Sequence, residues 1–211
     1  MLNTLIAEWQ IIFERDPAAH SWFEVLFVYL GLQVLVCYRV AHWLYNFRVP
    51  LIPRLISHLA CFLTGIESHP KARIGKGVFI DHGIKIVIGE TAIVGDYALI
   101  YQGITLGGTG KETGSHPKLE ENLVVGAGTK VLGNIQTGDH IRIGAGSVVL
   151  RNIPADCTVV GIPGRIVYRQ GEPVGSPNQQ HLQVPKAEVI RALFDRIQFL
   201  EQKIERVRTQ T

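Results

Sequence analysis

The feature that most constrains the fold of this chain is a six-residue repeat of aliphatic side chains that begins at residue 74. The repeat runs in two series, which are Ile74, Ile80, Ile88, Val94, Ile100 and Leu106, then Val125, Val131, Thr137, Ile143 and Val149. Neither an α-helix nor an ordinary strand has this period. It is the period of a parallel β-helix, in which each short strand points one aliphatic residue inward. Three hexads make a triangular coil of about 18 residues, so we expect about four or five coils. A glycine-rich β-sandwich with chance spacing is the alternative.

Composition divides the chain into four segments. Residues 1–66 predict a helical domain, in which Asp16-Pro17 has the residues of a helix start. Residues 67–168 carry the repeat, and 18 of the 22 glycines lie between Ile74 and Val167, where tight corners require them. Residues 169–185 form a polar linker with several prolines and glycines. Residues 186–211 predict a C-terminal helix with heptad spacing, which either self-associates or lies on its own domain.

The global properties exclude several classes of protein. The net charge is +3 without a block of lysine or arginine, so nucleic acid is not indicated as a partner. The three cysteines show no disulfide or zinc spacing, and the N-terminus shows no signal peptide, so we expect a cytoplasmic protein. The apolar run over residues 25–38 is shorter than the roughly 20 residues of a membrane span. It therefore predicts a buried core helix.

Two irregular steps in the repeat indicate where the functional site lies. The step from Ile80 to Ile88 is eight residues, and the step from Leu106 to Val125 is nineteen. Insertions in a solenoid become loops, and loops commonly carry function. The second step predicts an extended loop over residues 107–118.

Each irregular step contains a histidine. His82 lies in the first and His116 in the second, and Glu67 lies 15 residues before His82. A coil of about 18 residues can bring that carboxylate beside His82, as in a general-base pair. The histidines lie at least 11 residues apart, so a zinc site built on closely spaced histidines is not expected and no metal is predicted.

The sequence around both histidines resembles serine O-acetyltransferases, a family of hexapeptide-repeat acyltransferases. The similarity covers about residues 8–168, and its most specific parts are DHGIKIVIGET, which contains His82, and TLGGTGKETGSHPK, which contains His116. The resemblance implies that the β-helix is left-handed. It also implies an enzyme that transfers acetyl from acetyl-CoA to the hydroxyl of L-serine, for cysteine biosynthesis. The alternative is a hexapeptide acetyltransferase that acts on another hydroxyl, such as that of a sugar.

The resemblance also implies roles for individual residues. His82 corresponds to the general base, Glu67 to its carboxylate partner, and His116 to a second residue of the catalytic site. Asp16 and Asp81 correspond to the residues that bind the amino group of serine.

We expect acetyl-CoA to lie along a groove between subunits. Backbone N–H groups of a glycine-rich turn are suited to the oxyanion, small residues to the groove, and two cations to the phosphates. The residues expected to bind acetyl-CoA are Gly107, Gly108, Ala127, Lys130, Ala145 and Arg165.

The chain departs from the family in three places. Ser115 stands where the family usually has an arginine that resembles a clamp on the substrate carboxylate, which weakens the case for L-serine itself. The helical domain is shorter than in the fuller family members, whose additional helices pair two trimers, so the resemblance implies a single homotrimer with active sites shared between subunits. The chain ends in Thr-Gln-Thr, whereas family members commonly end in an isoleucine that docks into O-acetylserine sulfhydrylase. Docking by that route is therefore not expected.

Overall fold

The computed structural model describes residues 2–110 and 115–174. Its N-terminal part consists of four helices, which are α1 (Leu2–Arg15), α2 (Trp22–Val28), α3 (Leu30–Asn46) and α4 (Ile52–Thr64). Gly65 ends α4 with a left-handed φ of 70°, as glycine does at many helix ends. All of the candidate site residues lie in the described ranges. The predicted C-terminal helix lies outside them.

The prediction that Asp16-Pro17 begins a helix is wrong. Asp16 directly follows α1, and its Oδ1 atom accepts a hydrogen bond from the N–H of Ala18 at 2.8 Å. Aspartate side chains often bind the backbone two residues on, and this turn replaces the expected helix start. The next helix, α2, begins at Trp22.

The predicted core helix over residues 25–38 is neither continuous nor fully buried. Tyr29 adopts an extended conformation between α2 and α3, and the two helix axes meet at 66°. Val25 and Leu35 are buried, but Phe27 is 70% exposed. Within the described residues no single helix has the length and apolar character needed to cross a membrane, and only the bent pair α2 and α3, taken together, meets those criteria.

The hexad repeat forms short strands. In chain order they are β1 (Ile66–Ser68), β2 (Arg73–Ile74), β3 (Phe79–Ile80), β4 (Ile86–Ile88), β5 (Ile93–Val94), β6 (Leu99–Ile100), β7 (Thr105–Gly107), β8 (Lys118–Leu119), β9 (Val124–Val125), β10 (Lys130–Leu132), β11 (Arg142–Ile143), β12 (Val148–Val149), β13 (Cys157–Val160), β14 (Arg165–Arg169) and β15 (Glu172–Pro173). The last residue of β14, Arg169, and all of β15 lie in the segment expected to be a linker.

These strands form the three sheets of a parallel β-helix. The first sheet has the order β1-β4-β7-β10-β12, the second β2-β5-β8, and the third β3-β6-β9-β11-β13, which the antiparallel strands β14 and β15 extend. Successive strands in each sheet come from successive coils, and the five strands of the first sheet correspond to five coils. Parallel pairing excludes the sandwich alternative, and the predicted β-helix is confirmed.

The inward positions of the repeat form the core. All eleven residues of the two predicted series are buried. Registers such as Ile74 with Val94 and Ile88 with Leu106 stack aliphatic side chains coil upon coil. Each coil thus buries apolar surface against its neighbours, which stabilises a solenoid.

The coils have three edges, two of which carry a candidate histidine. The His82 edge joins the third sheet to the first through residues 81–85, 101–104, 126–129 and 144–147. The His116 edge joins the first sheet to the second through residues 69–72, 89–92, 108–110 and 115–117. The third edge contains residues 75–78, 95–98 and 120–123.

Helix α3 packs closely against the first coil. A Cβ atom added at Gly31 would lie 2.1 Å from the carbonyl oxygen of Ile80, so only glycine allows this approach. The hydroxyl of Tyr38 donates to the carbonyl of Ala72 at 2.6 Å and accepts from the N–H of Ile74 at 3.1 Å. The start of α3 is therefore fixed beside the end of β3, one residue before Asp81.

Candidate active site

His82 lies in a tight turn immediately after β3. Both His82 and Gly83 have positive φ angles, of 59° and 69°, and the N–H of Gly83 donates to the carbonyl of Asp81 at 2.7 Å. A positive φ is uncommon for a non-glycine residue, but in this chain other corner residues, such as Tyr97 and His140, adopt it as well. A Cβ atom at Gly83 would lie 2.3 Å from the side chain of Ile66, so this turn requires glycine. The turn leaves the His82 side chain 72% exposed at the edge.

Two carboxylates and a tyrosine lie near His82. The Nε2 atom of His82 lies 3.7 Å from Oδ1 of Asp81, and the hydroxyl of Tyr29 donates to Oδ2 of Asp16 at 2.7 Å. The Tyr29 hydrogen bond, followed by that from Ala18, lowers the pKa of Asp16, and the charge of His82 contributes in the same direction. Burial raises the pKa of Tyr29, assisted by Asp16 and by the charge of Asp81. The helices and the β-helix therefore contribute one carboxylate each to the same cluster.

Glu67 lies on the outer surface of β1. Its register partner is Val87, and the preceding residue, Ile66, contacts the turn at Gly83. Glu67 is exposed, and among the described side chains it forms no hydrogen bond with His82. The predicted proximity of the two segments is present, whereas the predicted side-chain pairing is not part of the described contacts.

His116 occupies a different edge of the coil. Its Nδ1 atom lies 2.8 Å from the hydroxyl oxygen of Thr91, and its ring lies over Gly89. A Cβ atom at Gly89 would lie 2.0 Å from Cδ2 of His116, and one at Gly108 would lie 3.3 Å from Cε1. The imidazole is therefore held between two glycines, and its half-buried position leaves part of the ring accessible.

A second group of charges lies next to His116. Lys71 donates to Oε1 of Glu90 at 2.9 Å, and this hydrogen bond lowers the pKa of Glu90. Burial lowers the pKa of His69, and the charge of Arg54 adds to that shift. His69 is therefore held neutral over a wider range of pH than an ordinary histidine.

The chain was compared with known proteins in sequence and in structure. No family model matches the chain. It is 63% identical over 206 residues to a serine acetyltransferase of Synechococcus elongatus, covering 97% of this chain and 84% of the relative. It is also 63% identical over 211 residues to a serine acetyltransferase of Synechocystis, covering 100% and 85%. The structure of Neisseria gonorrhoeae serine acetyltransferase in complex with serine matches 79% of this chain and 69% of that chain, with 36% identity and a TM-score of 0.76.

This chain belongs to the serine acetyltransferase family. The predicted family and fold are therefore confirmed, as is the predicted activity, acetyl transfer to serine by an acyltransferase. The roles of individual residues rest on the geometry of this member of the family.

In this serine acetyltransferase, three of the six residues expected to bind acetyl-CoA lie on or directly beside the His82 edge. Ala127 and Ala145 occupy equivalent corners of adjacent coils, and the N–H of Gly146 donates to the carbonyl of Ala127 at 2.8 Å. The Lys130 ammonium donates to the carbonyl of Gly103 at 2.7 Å and to the hydroxyl of Thr105 at 2.9 Å. The edge is therefore a narrow surface of small residues with a fixed positive charge.

The other three expected residues lie beyond the end of this surface or away from it. Arg165 is exposed on β14 opposite Val160, beyond the last coil. Gly107 and Gly108 lie at the His116 edge, because β7 crosses the first sheet between the two edges. Within one chain, the residues expected to bind acetyl-CoA therefore lie in separate places and do not form one continuous site. No group of three or more histidine, cysteine, aspartate or glutamate side chains in the described ranges is arranged to hold a metal ion.

Two contacts of the site were not predicted from the sequence. The Tyr29 hydroxyl contacts Asp16 across 13 residues of sequence, and the Thr91 hydroxyl contacts His116 across 25. No local pattern indicates such pairs, because both depend on how separate segments meet in the folded chain.

Proposed function

We propose that His82 is the general base with which this serine acetyltransferase transfers acetyl from acetyl-CoA to the hydroxyl of L-serine. The observation that carries the proposal is the exposed imidazole of His82, held at the coil edge in a positive-φ turn with its Nε2 atom 3.7 Å from Oδ1 of Asp81. A serine hydroxyl is a weak nucleophile until a base within about 3 Å accepts its proton.

One proton is transferred in the reaction, from the serine hydroxyl to His82 and then to CoA. His82 accepts the hydroxyl proton as the serine oxygen forms a bond to the acetyl carbonyl carbon of acetyl-CoA. The C–S bond then breaks, and the imidazolium transfers the proton to the sulfur of CoA. O-acetylserine and CoA are the products. Glu67, on the neighbouring strand, stabilises the imidazolium as a second negative charge beside Asp81.

The two aspartates select an acceptor that carries an ammonium group. Asp16 remains ionised because the hydrogen bonds from Tyr29 and Ala18 lower its pKa. An ammonium between Asp16 and Asp81 is stabilised by both carboxylates and places the substrate hydroxyl near His82. A sugar offers no such group, so these carboxylates favour L-serine over the sugar alternative.

A homotrimer completes the site. His82 and His116 lie on different edges of one coil, and we place the His116 edge of one subunit against the His82 edge of the next. Exposed apolar side chains support this arrangement. Leu55, Leu59 and Phe62 form an outward stripe on α4, and Ile84 continues it next to His82. Large exposed apolar surfaces of this kind commonly mark an interface.

Acetyl-CoA then lies along the His82 edge between the subunits. Ala127 and Ala145 leave room for its pantetheine arm, while Arg165 and Lys130 supply positive charge to its phosphates. Because the Lys130 ammonium already binds Gly103 and Thr105, it acts as a fixed charge. The N–H groups of Gly107 and Gly108, from the adjoining subunit, are suited to the carbonyl oxygen of the thioester.

We also place the enzyme in the cytoplasm. Cys37, Cys61 and Cys157 are all free thiols in the structure, as expected for a protein of a reducing compartment.

The decisive experiment is a comparison of acceptors. The purified enzyme is incubated with acetyl-CoA and one acceptor at a time, and CoA release is followed with a thiol reagent. L-serine should support turnover, whereas 3-hydroxypropionate, which has the hydroxyl and carboxylate but no ammonium, should give no more release than buffer. Faster release with a sugar than with L-serine would contradict the proposal.

A further inference from the structure

Tyr29 lies at the junction between the helical part and the coil that carries His82. It occupies the extended residue between α2 and α3, and its carbonyl accepts hydrogen bonds from the N–H groups of Leu32 and Gln33 at 3.1 and 3.2 Å. Gly31, two residues later, is pressed against the carbonyl of Ile80. These contacts fix the backbone of Tyr29 beside the end of β3.

The Tyr29 hydroxyl has a specific partner. It donates to Oδ2 of Asp16 at 2.7 Å, while Oδ1 of the same carboxylate accepts from the N–H of Ala18 at 2.8 Å. Both oxygens of Asp16 are therefore held, and the carboxylate plane is fixed. Burial raises the pKa of Tyr29, so its hydroxyl remains a donor throughout the pH range in which an enzyme works.

Without that hydroxyl, Asp16 has less to orient it. Asp16 lies in the connection between α1 and α2, and the other hydrogen bond to its side chain comes from its own turn. The hydrogen bond from Tyr29 therefore links the α1–α2 connection to the start of α3, which packs on the β-helix. Fixing a binding group before the ligand arrives reduces the entropy lost on binding.

We propose that Tyr29 is a positioning residue for the acceptor: its hydroxyl holds the Asp16 carboxylate in the orientation that binds the ammonium of L-serine beside Asp81 and His82. This inference rests on the proposed role of Asp16. Tyr29 acts through Asp16, and it takes no part in proton transfer.

The test is the variant Tyr29→Phe, which keeps the ring and removes only the hydroxyl. The KM for L-serine should rise about tenfold, as expected when a charged hydrogen-bond partner is lost. The kcat and the KM for acetyl-CoA should stay within about twofold, because the lost interaction orients only the acceptor. Calorimetric titration of L-serine in the absence of acetyl-CoA should show the same loss of affinity.

A double-mutant cycle with Asp16→Ala separates this role from a general structural one. Asp16→Ala should itself raise the KM for L-serine, and adding Tyr29→Phe to it should change the KM no further. Tyr97→Phe is the matched control, because Tyr97 is half-buried on the third edge, away from both histidines. This variant should have the KM values of the wild-type enzyme. Thermal unfolding of each variant reports on the fold independently.

The possible results are distinct. An unchanged KM for L-serine in Asp16→Ala would overturn the assignment of Asp16, and the inference on Tyr29 with it. A raised KM in Asp16→Ala together with an unchanged KM in Tyr29→Phe would overturn the Tyr29 inference alone. Equal effects of Tyr29→Phe with and without Asp16 would do the same, since they would show that Tyr29 acts independently. A fall in the unfolding temperature of Tyr29→Phe with no loss of calorimetric affinity in the folded protein would also refute it.

Discussion

The Nδ1 atom of His116 lies 2.8 Å from the hydroxyl oxygen of Thr91, which belongs to the preceding coil of the β-helix. The contact fixes one ring nitrogen, while the ring packs over Gly89. A histidine held through one nitrogen has a fixed ring orientation, and its other nitrogen is left to act on a substrate. The rigid coil, rather than the loop, thus orients His116.

Replacing Thr91 with valine should therefore reduce activity. Valine keeps the size of threonine but cannot hydrogen-bond, and we expect kcat/KM for L-serine to fall about tenfold through loss of an interaction worth about 1 kcal/mol or more. Thr91→Ser keeps the hydroxyl and should retain most of the activity. Similar losses in both variants would indicate that the methyl packing, and not the hydrogen bond, is what matters.

A shared active site can be tested by complementation between inactive variants. His82→Ala and His116→Asn should each have very low activity alone, while His140→Ala, which alters an exposed histidine of a regular turn, should be normal. Equal co-expression of the two inactive chains should restore about a quarter of wild-type activity, because about one in four adjacent pairs then combines an intact His82 with an intact His116. If both histidines acted within one chain, the mixture would remain inactive.

The predictable and unpredictable parts of the fold differ in the range of the interactions that specify them. The hexad period predicted all eleven inward positions, because each coil repeats the same local requirement. The break at Tyr29 was not predicted, since this residue is neither proline nor glycine; it lies next to the close packing of Gly31 on Ile80, which involves a distant segment. The apolar run over residues 25–38 was expected to be fully buried, but part of it is exposed. Hydrophobic pattern alone does not distinguish side chains that pack in the core from side chains that face another subunit.

The candidate site shows the same division. The irregular steps of the repeat placed His82 and His116 at edges of the coil, as the structure has them. Asp16 was matched from its motif, but the local signal for a helix start was misleading, because its carboxylate caps a turn after α1 instead.

Ser115 permits a direct test of carboxylate recognition. It lies next to His116, and a Cβ atom at Gly108 would be 2.5 Å from its hydroxyl oxygen, so it faces the same corner. A guanidinium at this position can bind a carboxylate through two parallel hydrogen bonds. Ser115→Arg should lower the KM for L-serine several-fold, with Ser115→Gln as the uncharged control. An unchanged KM in the arginine variant would mean that another cation already binds the carboxylate.

The ionisation of Asp16 gives a pH-dependent prediction. Its pKa in the folded protein is below the ordinary 3.8, chiefly because of the Tyr29 hydrogen bond. The stability contributed by Asp16 is therefore present above the unfolded pKa and is lost as the pH falls through the lower folded pKa. Unfolding measured between about pH 6 and pH 3 should show a smaller loss of stability for Asp16→Asn than for wild type. Parallel curves for the two proteins would contradict the shift.

A buried ion pair joins α1 to α3. The Glu8 side chain is fully buried and is paired with Arg39, whose guanidinium also donates to the carbonyls of Ile74 and Gly75 in the first coil. Burial raises the pKa of Glu8, and the attraction of Arg39 opposes that shift. Its Oε2 atom has no hydrogen-bond partner among the described residues, so the carboxylate depends on Arg39 for compensation.

Arg39→Met should accordingly destabilise the protein by about 3–5 kcal/mol, because it leaves a buried carboxylate unpaired. The double variant Glu8→Met with Arg39→Met should recover much of this loss, since replacing a whole buried pair by apolar side chains is often neutral. Urea unfolding followed by circular dichroism, at one fixed protein concentration, measures both changes and keeps any assembly contribution constant. The double variant could instead be as unstable as Arg39→Met. That result would mean that the helices are held on the β-helix by the hydrogen bonds from Arg39 to the two coil carbonyls, and not by its pairing with the charge of Glu8.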